Sequence, residues 1–273
     1  MNSSDDPTPH HVYGNISVEV SRLIDRRFFN AIGPTELELI GQEITLKPDG
    51  LVLDIGTGNA NVSVWLAQKF GIRVVGLEPS VAMIDEARSN VALAKLQDKI
   101  EIIQSDFFSW DQNHGQGEIY DAIIGIDTFC YFPDKSELFR PLAARLKSSS
   151  RLAFTDLFVT TSETDELLQE YLRRYALAVP LRFDAYREIV LSEGFALVRF
   201  EDITPKFLQH WQWVNAQVVE HRNQLVNTLS LDAYQEYRKS STALLAAAEA
   251  GSVGYLLGIA EKVSPSTPLL QEI

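Results

Sequence analysis

The stretch from Leu51 to Ser80, LVLDIGTGNANVSVWLAQKFGIRVVGLEPS, reads as a strand, a glycine turn, a helix and a second strand. Its first apolar run, residues 51–55, is typical of a buried parallel strand. Gly56 and Gly58 then permit a tight turn at which backbone can come close to a ligand. The helix that we expect over about 61–70 points its positive N-terminus at that turn. The stretch therefore predicts a ligand site at the end of the first strand.

The second apolar run, residues 72–77, ends on Glu78, where a strand-end carboxylate can accept hydrogen bonds from the hydroxyls of a ribose. The glycine turn reads DxGxGxxN rather than GxGxxG, because Asn61 stands where a dinucleotide site has its third glycine. Asp54 adds a negative charge at the mouth of the turn, which suits a cationic amine and repels a phosphate. An NAD-dependent oxidoreductase is therefore disfavoured, and a nucleoside ligand that carries an amine is favoured.

At these residues the sequence resembles motif I of the class I S-adenosylmethionine (SAM) dependent methyltransferases. In that family the acidic residue at the end of the first strand lies near the amino acid part of the cofactor. The resemblance implies SAM as cofactor and an α/β fold. It also implies a Rossmann-like sheet of seven strands, the last of them antiparallel, with helices on both faces and a helical cap.

The resemblance is carried further by an apolar third strand from Ile100 that is followed by Asp106, in the position that contacts the adenine amino group. Phe107 is then expected against the adenine ring, and Asp127 on the methionine side, mostly through backbone groups. Ser80 and Met83 are expected to border the adenine. The implied cofactor-binding residues are Asp54, Gly56, Gly58, Glu78, Pro79, Ser80, Met83, Asp106, Phe107 and Asp127.

The remaining apolar runs complete the expected sheet, with a fourth strand at 120–127, a fifth at 152–157, a sixth at 195–203 and a seventh at 254–263. The predicted organisation has four parts. These are an N-terminal helical arm or lid at 1–45, a SAM-binding core at 46–204, cap insertions at 160–182 and 205–250, and a last strand with tail at 251–273. The helical insertions resemble those of the sugar O-, phosphoethanolamine N- and sterol C-methyltransferases, which act on small molecules.

In that group the loop after the fourth strand often carries two histidines, one of which can act as a base. This chain has Cys130 and Tyr131 there, which argues against a histidine base in this loop. Tyr131 becomes a candidate hydroxyl beside the transferred methyl, or else an aromatic that closes the pocket. Asp156, at the end of the fifth strand, is a candidate base or substrate anchor, or else a helix cap.

An aromatic segment around His210 offers another base, although packing within a cap helix is the plainer explanation. Tyr13 in the arm resembles the lid tyrosine of the phosphoethanolamine methyltransferases, with arm packing as the alternative. The catalytic candidates are Tyr131, Asp156 and His210, and the substrate-binding candidates are Tyr13, Phe129, Trp211 and Trp213.

Composition restricts the partners. The formal charge of −13 argues against a nucleic acid substrate, because such enzymes need a basic track for phosphates. Cys130 is the only cysteine, so neither an intrachain disulfide nor a thiolate zinc cluster is expected, and the histidines lack metal-ligand spacing. The polar N-terminus and the absence of a long apolar run predict a cytoplasmic protein without a membrane partner.

The sequence thus favours a SAM-dependent methyltransferase that acts on an oxygen or nitrogen of a small-molecule metabolite. A C-methyltransferase of an isoprenoid or polyketide-like acceptor stays open, since the aromatic content of 10% could stabilise a cation. A non-catalytic SAM-binding protein also stays open, as does a homodimer formed through the helical arm and the tail.

Overall fold

The computed structural model describes residues 16–17, 19–24, 28, 31–113, 117, 119–160 and 166–263. The strands are β1 (Leu51–Ile55), β2 (Arg73–Glu78), β3 (Ile100–Gln104), β4 (Tyr120–Gly125), β5 (Leu146–Val159), β6 (Phe195–Asp202) and β7 (Val253–Lys262). The helices are α1 (Pro34–Glu43), α2 (Asn61–Phe70), α3 (Val81–Leu93), α4 (Phe107–Asn113), α5 (Lys135–Arg145), α6 (Glu166–Arg174), α7 (Phe183–Ser192), α8 (Thr204–Glu220), α9 (Arg222–Leu229) and α10 (Leu231–Glu249).

The seven strands form one sheet in the order β3-β2-β1-β4-β5-β7-β6. The first five strands pair in parallel, while β7 runs antiparallel to both β5 and β6. The strand order reverses between β1 and β4, and ligands of open α/β sheets bind at such a point, outside the carboxyl ends of the strands. The predicted Rossmann-like sheet with an antiparallel last strand is confirmed.

Alternating side chains of the strands supply two apolar cores, one on each face of the sheet. On one face, strand residues such as Val52 and Ile124 pack in a cluster with residues of α1, α2, α3, α8 and α10. On the other face, Leu53 and Phe154 pack in a cluster with residues of α4, α5 and α7. The sheet is therefore covered on both sides, and its strand ends are left to carry the site.

Part of the predicted N-terminal arm is helical, at residues 16–17 and 19–23. Ile16, Val20 and Ile24 recur at helical spacing and pack against cap residues that include Val214 and Leu225. The arm thus lies against helices α8 to α10. The boundaries between arm, core and cap stay a prediction.

The fifth strand is longer than the sequence predicted, beginning at Leu146 rather than at 152. Leu146 pairs with Tyr120, and the register then shifts before Arg151 pairs with Ala122. The intervening polar segment, KSSS at 147–150, interrupts the apolar run and hides the start of the strand from pattern reasoning. Among the described residues, none of the helices combines the length and the apolar character that crossing a bilayer requires.

Candidate active site

A cavity of about 610 Å³ lies at the carboxyl ends of β1, β2, β4 and β5. Most residues that the sequence singled out line it, and they come from segments far apart in the chain. These residues are Asp54, Gly56, Gly58, Glu78, Pro79, Ser80, Met83, Asp127, Tyr131, Asp156 and Trp211. Ser17 and Phe28 of the N-terminal segment line the same cavity, so the arm takes part in enclosing it.

The glycine turn needs both of its glycines, for different reasons. Gly56 has a φ of +67°, and a Cβ there would lie 2.0 Å from the hydroxyl oxygen of Thr128. Gly58 has a φ of +56°, but a Cβ there would meet nothing within 4 Å. Gly56 therefore lets the turn after β1 pack against the turn after β4, and Gly58 leaves open space at the cavity wall.

Asp54 lies at the end of β1, and only 2% of its surface is exposed. Its Oδ2 accepts hydrogen bonds from Thr57 Oγ1 at 2.7 Å and from Ser63 Oγ at 2.5 Å. Burial raises the pKa of this carboxyl above its usual range, although the two hydroxyl groups oppose the shift. Thr57 of the turn and Ser63 of α2 thus hold one buried carboxylate at the cavity.

Glu78, at the end of β2, is held by two backbone N–H groups. The amide of Gly58 donates to its Oε2 and the amide of Ser80 donates to its Oε1, each at 2.9 Å. Burial raises the pKa of Glu78, and the charge of Asp54 adds to the shift. The carboxylate is fixed in orientation, and each oxygen still has lone-pair capacity for a ligand hydroxyl.

Asp106 and Phe107 are placed differently from Glu78, since neither side chain is among the cavity-lining residues. Asp106 is exposed, and its Oδ1 accepts the amide of Ser109 at 2.9 Å, so it caps α4. Phe107 is 1% exposed and stacks with Trp110 in the core. The expectation that the Phe107 ring lies against an adenine is wrong, because this first helical residue points into the core.

Asp127 follows β4 with a left-handed backbone, at a φ of +56°. Its backbone N–H donates to Thr155 Oγ1 at 3.0 Å, and its Oδ1 accepts hydrogen bonds from the hydroxyls of Thr155 and Tyr255. Tyr255 Oη also lies 2.8 Å from Thr155 Oγ1. Three strands, β4, β5 and β7, thus fix the turn that contains Asp127.

A short 3₁₀ turn, Phe129–Tyr131, follows β4 and forms part of the cavity wall. Cys130 and Tyr131 line the cavity, and 47% of the Tyr131 surface is accessible. Desolvation raises the pKa of both the Cys130 thiol and the Tyr131 hydroxyl, so both groups keep their protons at neutral pH. Phe129 is fully buried and stacks on Phe154, so its assignment as a substrate contact is wrong.

Asp156 forms a buried ion pair with Lys135, which sequence reasoning missed. Lys135 Nζ lies 2.9 Å from Asp156 Oδ2, and each side chain is 2% exposed. Tyr186 Oη donates to the same oxygen at 3.0 Å, and the amide of Leu157 donates to Oδ1 at 2.7 Å. Burial raises the pKa of Asp156, while Lys135 and the hydrogen bonds oppose that shift. Lys135 also donates to the carbonyl oxygen of Phe129, which ties the 3₁₀ turn to β5.

Of the aromatic cluster on α8, only one sequence candidate reaches the cavity. Trp211 lines it, whereas His210 and Trp213 do not. His210 packs against both tryptophan rings, at 6.0 and 6.2 Å between ring centroids, and Trp213 is 43% exposed. The candidate base His210 and the candidate substrate contact Trp213 therefore lie outside the cavity, which corrects both predictions. Tyr13 lies outside the described residues.

Tyrosines that the sequence did not single out complete the aromatic wall. The aromatic residues on this side of the cavity are Tyr131, Tyr171, Tyr175, Phe207, Trp211, Tyr237 and Tyr255. Tyr171 and Tyr175 are four residues apart, and their ring centroids lie 4.7 Å from each other. A spacing of four residues places both rings on one helical face. This spacing was the sequence signal by which the two tyrosines could have been found.

Residues 52–149 match a family model described as a methyltransferase domain. The phosphoethanolamine N-methyltransferase of Triticum aestivum is 22% identical over 96% of this chain and 52% of its own length. The sarcosine/dimethylglycine N-methyltransferase of Halorhodospira halochloris is 26% identical over 68% of this chain and 66% of its own length. The chain thus spans between about half and two thirds of the length of these relatives.

Solved structures share the fold. The Mycobacterium tuberculosis cyclopropane synthase superposes with a TM-score of 0.82 at 16% identity, covering 95% of this chain and 100% of its own. The Haemonchus contortus phosphoethanolamine N-methyltransferase 2 was solved with phosphomonomethylethanolamine and S-adenosylhomocysteine. It superposes with a TM-score of 0.78 at 18% identity, covering 95% of this chain and 58% of its own.

The cofactor of this family is SAM, and the residues at the glycine turn fit it. Gly58 leaves space beside a carboxylate, Glu78, whose oxygens are oriented by backbone amides. Asp54 supplies a second buried carboxylate, which suits the amino group of the methionine part. Residues 52–149 thus form a methyltransferase domain, and the chain has the fold of the class I SAM-dependent methyltransferases.

Proposed function

We propose that this protein transfers a methyl group from SAM to an oxygen or nitrogen of a small-molecule metabolite. The observation that carries the proposal is one continuous cavity with two different walls. One wall, the cofactor wall, consists of Asp54, Glu78, Asp127 and the glycines of the turn after β1. The other, the acceptor wall, consists of Asp156 of β5 and the aromatic residues of the 3₁₀ turn, the cap and β7. Such a cavity can hold a nucleoside cofactor and an acceptor together.

The role of each wall follows from its chemistry. Glu78 would accept the ribose hydroxyls, and Asp54 and Asp127 would lie on the side of the amino acid part. Asp106 would contact the adenine amino group from the start of α4. SAM supplies an electrophilic methyl on a sulfonium. The protein therefore has mainly to orient the acceptor and keep water from the cavity.

Calorimetric titration with SAM, S-adenosylhomocysteine and NAD tests the cofactor. We expect the first two to bind and NAD not to bind. Glu78→Ala should abolish that binding. Glu101→Ala, at an exposed position of β3, is the matched control and should not alter it. Binding of NAD instead, or equal binding by Glu78→Ala, would contradict the proposed site.

Methyl transfer is then tested with an acceptor panel and detection of S-adenosylhomocysteine. Binding without turnover of any acceptor would favour a non-catalytic SAM-binding protein. Turnover of an unsaturated apolar acceptor would favour C-methylation, for which the aromatic wall gives a physical reason, since aromatic faces stabilise cations. The fold is compatible with this chemistry, since a geranyl diphosphate C-methyltransferase of Streptomyces coelicolor also has it.

The cellular setting belongs to the same proposal. An acidic protein with a charge of −13 is poorly suited to nucleic acid, so we propose a small-molecule partner. A cytoplasmic location, a role in biosynthesis and a homodimer remain predictions. Size-exclusion chromatography with light scattering would test the dimer.

A further inference from the structure

The acceptor wall holds few groups that could remove a proton from a bound acceptor. This matters because a hydroxyl acceptor must lose its proton for methylation, whereas an uncharged amine already presents a lone pair. If the protein transfers methyl groups as proposed, the groups of this wall determine which acceptor atom the cavity can use.

Asp156 is the carboxylate of the acceptor wall, and both of its oxygens are engaged. Oδ2 meets Lys135 Nζ at 2.9 Å and Tyr186 Oη at 3.0 Å, and Oδ1 accepts the amide of Leu157. Taking up a proton would neutralise Asp156 beside a buried ammonium, which is costly in an interior that excludes water. Asp156 therefore anchors the wall and does not act as a base.

Asp127 is held in a comparable way. Its Oδ1 accepts from the hydroxyls of Thr155 and Tyr255, and its backbone amide is fixed by Thr155. Both oxygens of Glu78 accept backbone amides, and Asp54 Oδ2 accepts two hydroxyls at the glycine turn. These carboxylates belong to the cofactor wall, and each is oriented by its own donors.

The remaining titratable groups of the acceptor wall already carry protons. Cys130 and Tyr131 lie in the 3₁₀ turn and line the cavity, and burial there raises the pKa of the thiol and of the hydroxyl. A protonated thiol or phenol cannot accept the proton of an acceptor. Histidine is the usual base at neutral pH, but neither His210 nor His221 is among the described residues that line the cavity.

The aromatic rings supply what an amine acceptor needs instead. As a nitrogen takes a methyl group it becomes positively charged, and the faces of Tyr and Trp rings attract positive charge. Tyr171, Tyr175, Trp211 and Tyr237 line this side of the cavity, and no described Lys or Arg is among its lining residues. The wall thus favours the charge that develops during N-methylation.

From this arrangement we infer that the acceptor atom is an amine nitrogen that reacts as its free base, without a general base from the described residues. The amine releases its proton to water before the reaction. Its lone pair then forms the new N–C bond while the electrons of the S–C bond return to sulfur. The positive charge passes from the sulfonium to the methylated nitrogen, so hydroxyl acceptors are poor substrates.

The first test uses ring-substituted benzylamines of different basicity, each paired with the corresponding benzyl alcohol, and the full-length protein with SAM. Below the pKa of each amine, kcat/KM should rise tenfold per pH unit, and the break should move with the basicity of the amine. The alcohols should give no methylated product. A break that stays at one pH for all amines, or turnover of an alcohol, would overturn the inference.

The second test does not depend on turnover. Calorimetric binding of the same amines to the S-adenosylhomocysteine-loaded protein, in two buffers of different ionisation enthalpy, should show release of about one proton per amine near neutral pH. Binding of the alcohols but of none of the amines, or binding of the amines without proton release, would overturn the inference. Failure of S-adenosylhomocysteine itself to bind would count against the proposed function instead.

Histidine variants complete the design. His10 and His11 lie outside the described residues, and His210 lies outside the cavity. The double variant His10→Asn/His11→Asn and the single variant His210→Asn should leave the pH profile unchanged. Loss of the ascending limb in either variant would identify a protein base and overturn the inference.

Discussion

Lys135, the first residue of α5, and Asp156 of β5 form an ion pair with 2.9 Å between Nζ and Oδ2, and both side chains are almost fully buried. The same Nζ donates to the carbonyl oxygen of Phe129. One ammonium thus connects the helix after the 3₁₀ turn, the turn itself and the strand that contributes Asp156 to the cavity.

Removing this ammonium should destabilise the protein strongly. We expect Lys135→Met to lower the free energy of unfolding by about 3–5 kcal/mol, because Asp156 would be left as an unpaired buried carboxylate. Urea denaturation measures the effect. Lys147→Met is the control, since its pair with Asp121 is about half exposed and should be worth less than about 1 kcal/mol. The double variant Lys135→Met/Asp156→Asn should recover much of the loss, and no recovery would contradict the explanation.

The two glycines of the turn should respond differently to the same substitution. Replacing either glycine by Ala should lower the free energy of unfolding by about 1–2 kcal/mol, because both residues have a positive φ. Gly56→Ala should cost a further amount of about 1–3 kcal/mol, since its Cβ would collide with Thr128. Thermal and urea unfolding of both variants would measure the difference. Equal losses would show that the contact with Thr128 adjusts freely.

Asp54 should make folding stability fall as the pH rises. Its pKa in the folded protein is raised above its value in the unfolded chain, mainly by burial. As the pH rises, the unfolded chain therefore loses this proton before the folded protein does. The free energy of unfolding falls over that interval, and the fall is complete above the pKa of the folded protein. Relative to Asp54→Asn, the wild type should lose stability as the pH rises from about 4, the ordinary value in the unfolded chain, through the raised pKa of the folded protein.

Asp121→Asn is the control of opposite sign for that experiment. The pKa of Asp121 is lowered, since hydrogen bonds from Lys147 and Leu51 outweigh the effect of burial. Its contribution to stability is present above the unfolded pKa and is lost as the pH falls through the folded pKa. Urea titrations of the unliganded variants across this range measure both trends. The same slope in both comparisons would contradict the assignment.

Two tryptophans of α8 allow a matched test of the acceptor wall. Trp211 lines the cavity and Trp213 is 43% exposed outside it. Trp211→Ala should weaken amine binding to the S-adenosylhomocysteine-loaded protein about 2- to 30-fold, because it removes a ring that faces the acceptor. Trp213→Ala should leave the affinity unchanged. A comparable loss in both variants would mean that the helix, rather than the ring, determines binding.

The sequence predicted the fold, and it singled out residues of the glycine turn that line the cavity, because these signals are local. Apolar runs mark the strands, Gly56 and Gly58 mark the turn, and Glu78 follows its strand directly. The sequence predictions were wrong where the role of a residue depends on the direction of its side chain. Phe107 and Phe129 stand at the expected positions of the chain, but their rings turn into the core. A motif gives the position of a residue and not the direction of its side chain.

The acceptor wall was harder to predict because its residues are brought together by tertiary structure. Lys135 follows a proline and an aspartate in a polar segment, and nothing local indicates that it is buried against Asp156. Tyr237 comes from α10 and Tyr255 from β7, far along the chain from the glycine turn. Their convergence depends on how the cap helices pack, and one sequence does not specify this.

The position of β7 between β5 and β6 has a consequence for the order in which the molecule can be made. Synthesis delivers residues 253–262 after all the other described strands, so until then β5 and β6 each have an unsatisfied edge. Tyr255, which anchors Asp127 and Thr155, arrives with the same strand. A nascent chain that stops short of β7 therefore lacks both its finished sheet and its finished cavity. We expect such a chain to be prone to aggregation through the two open edges.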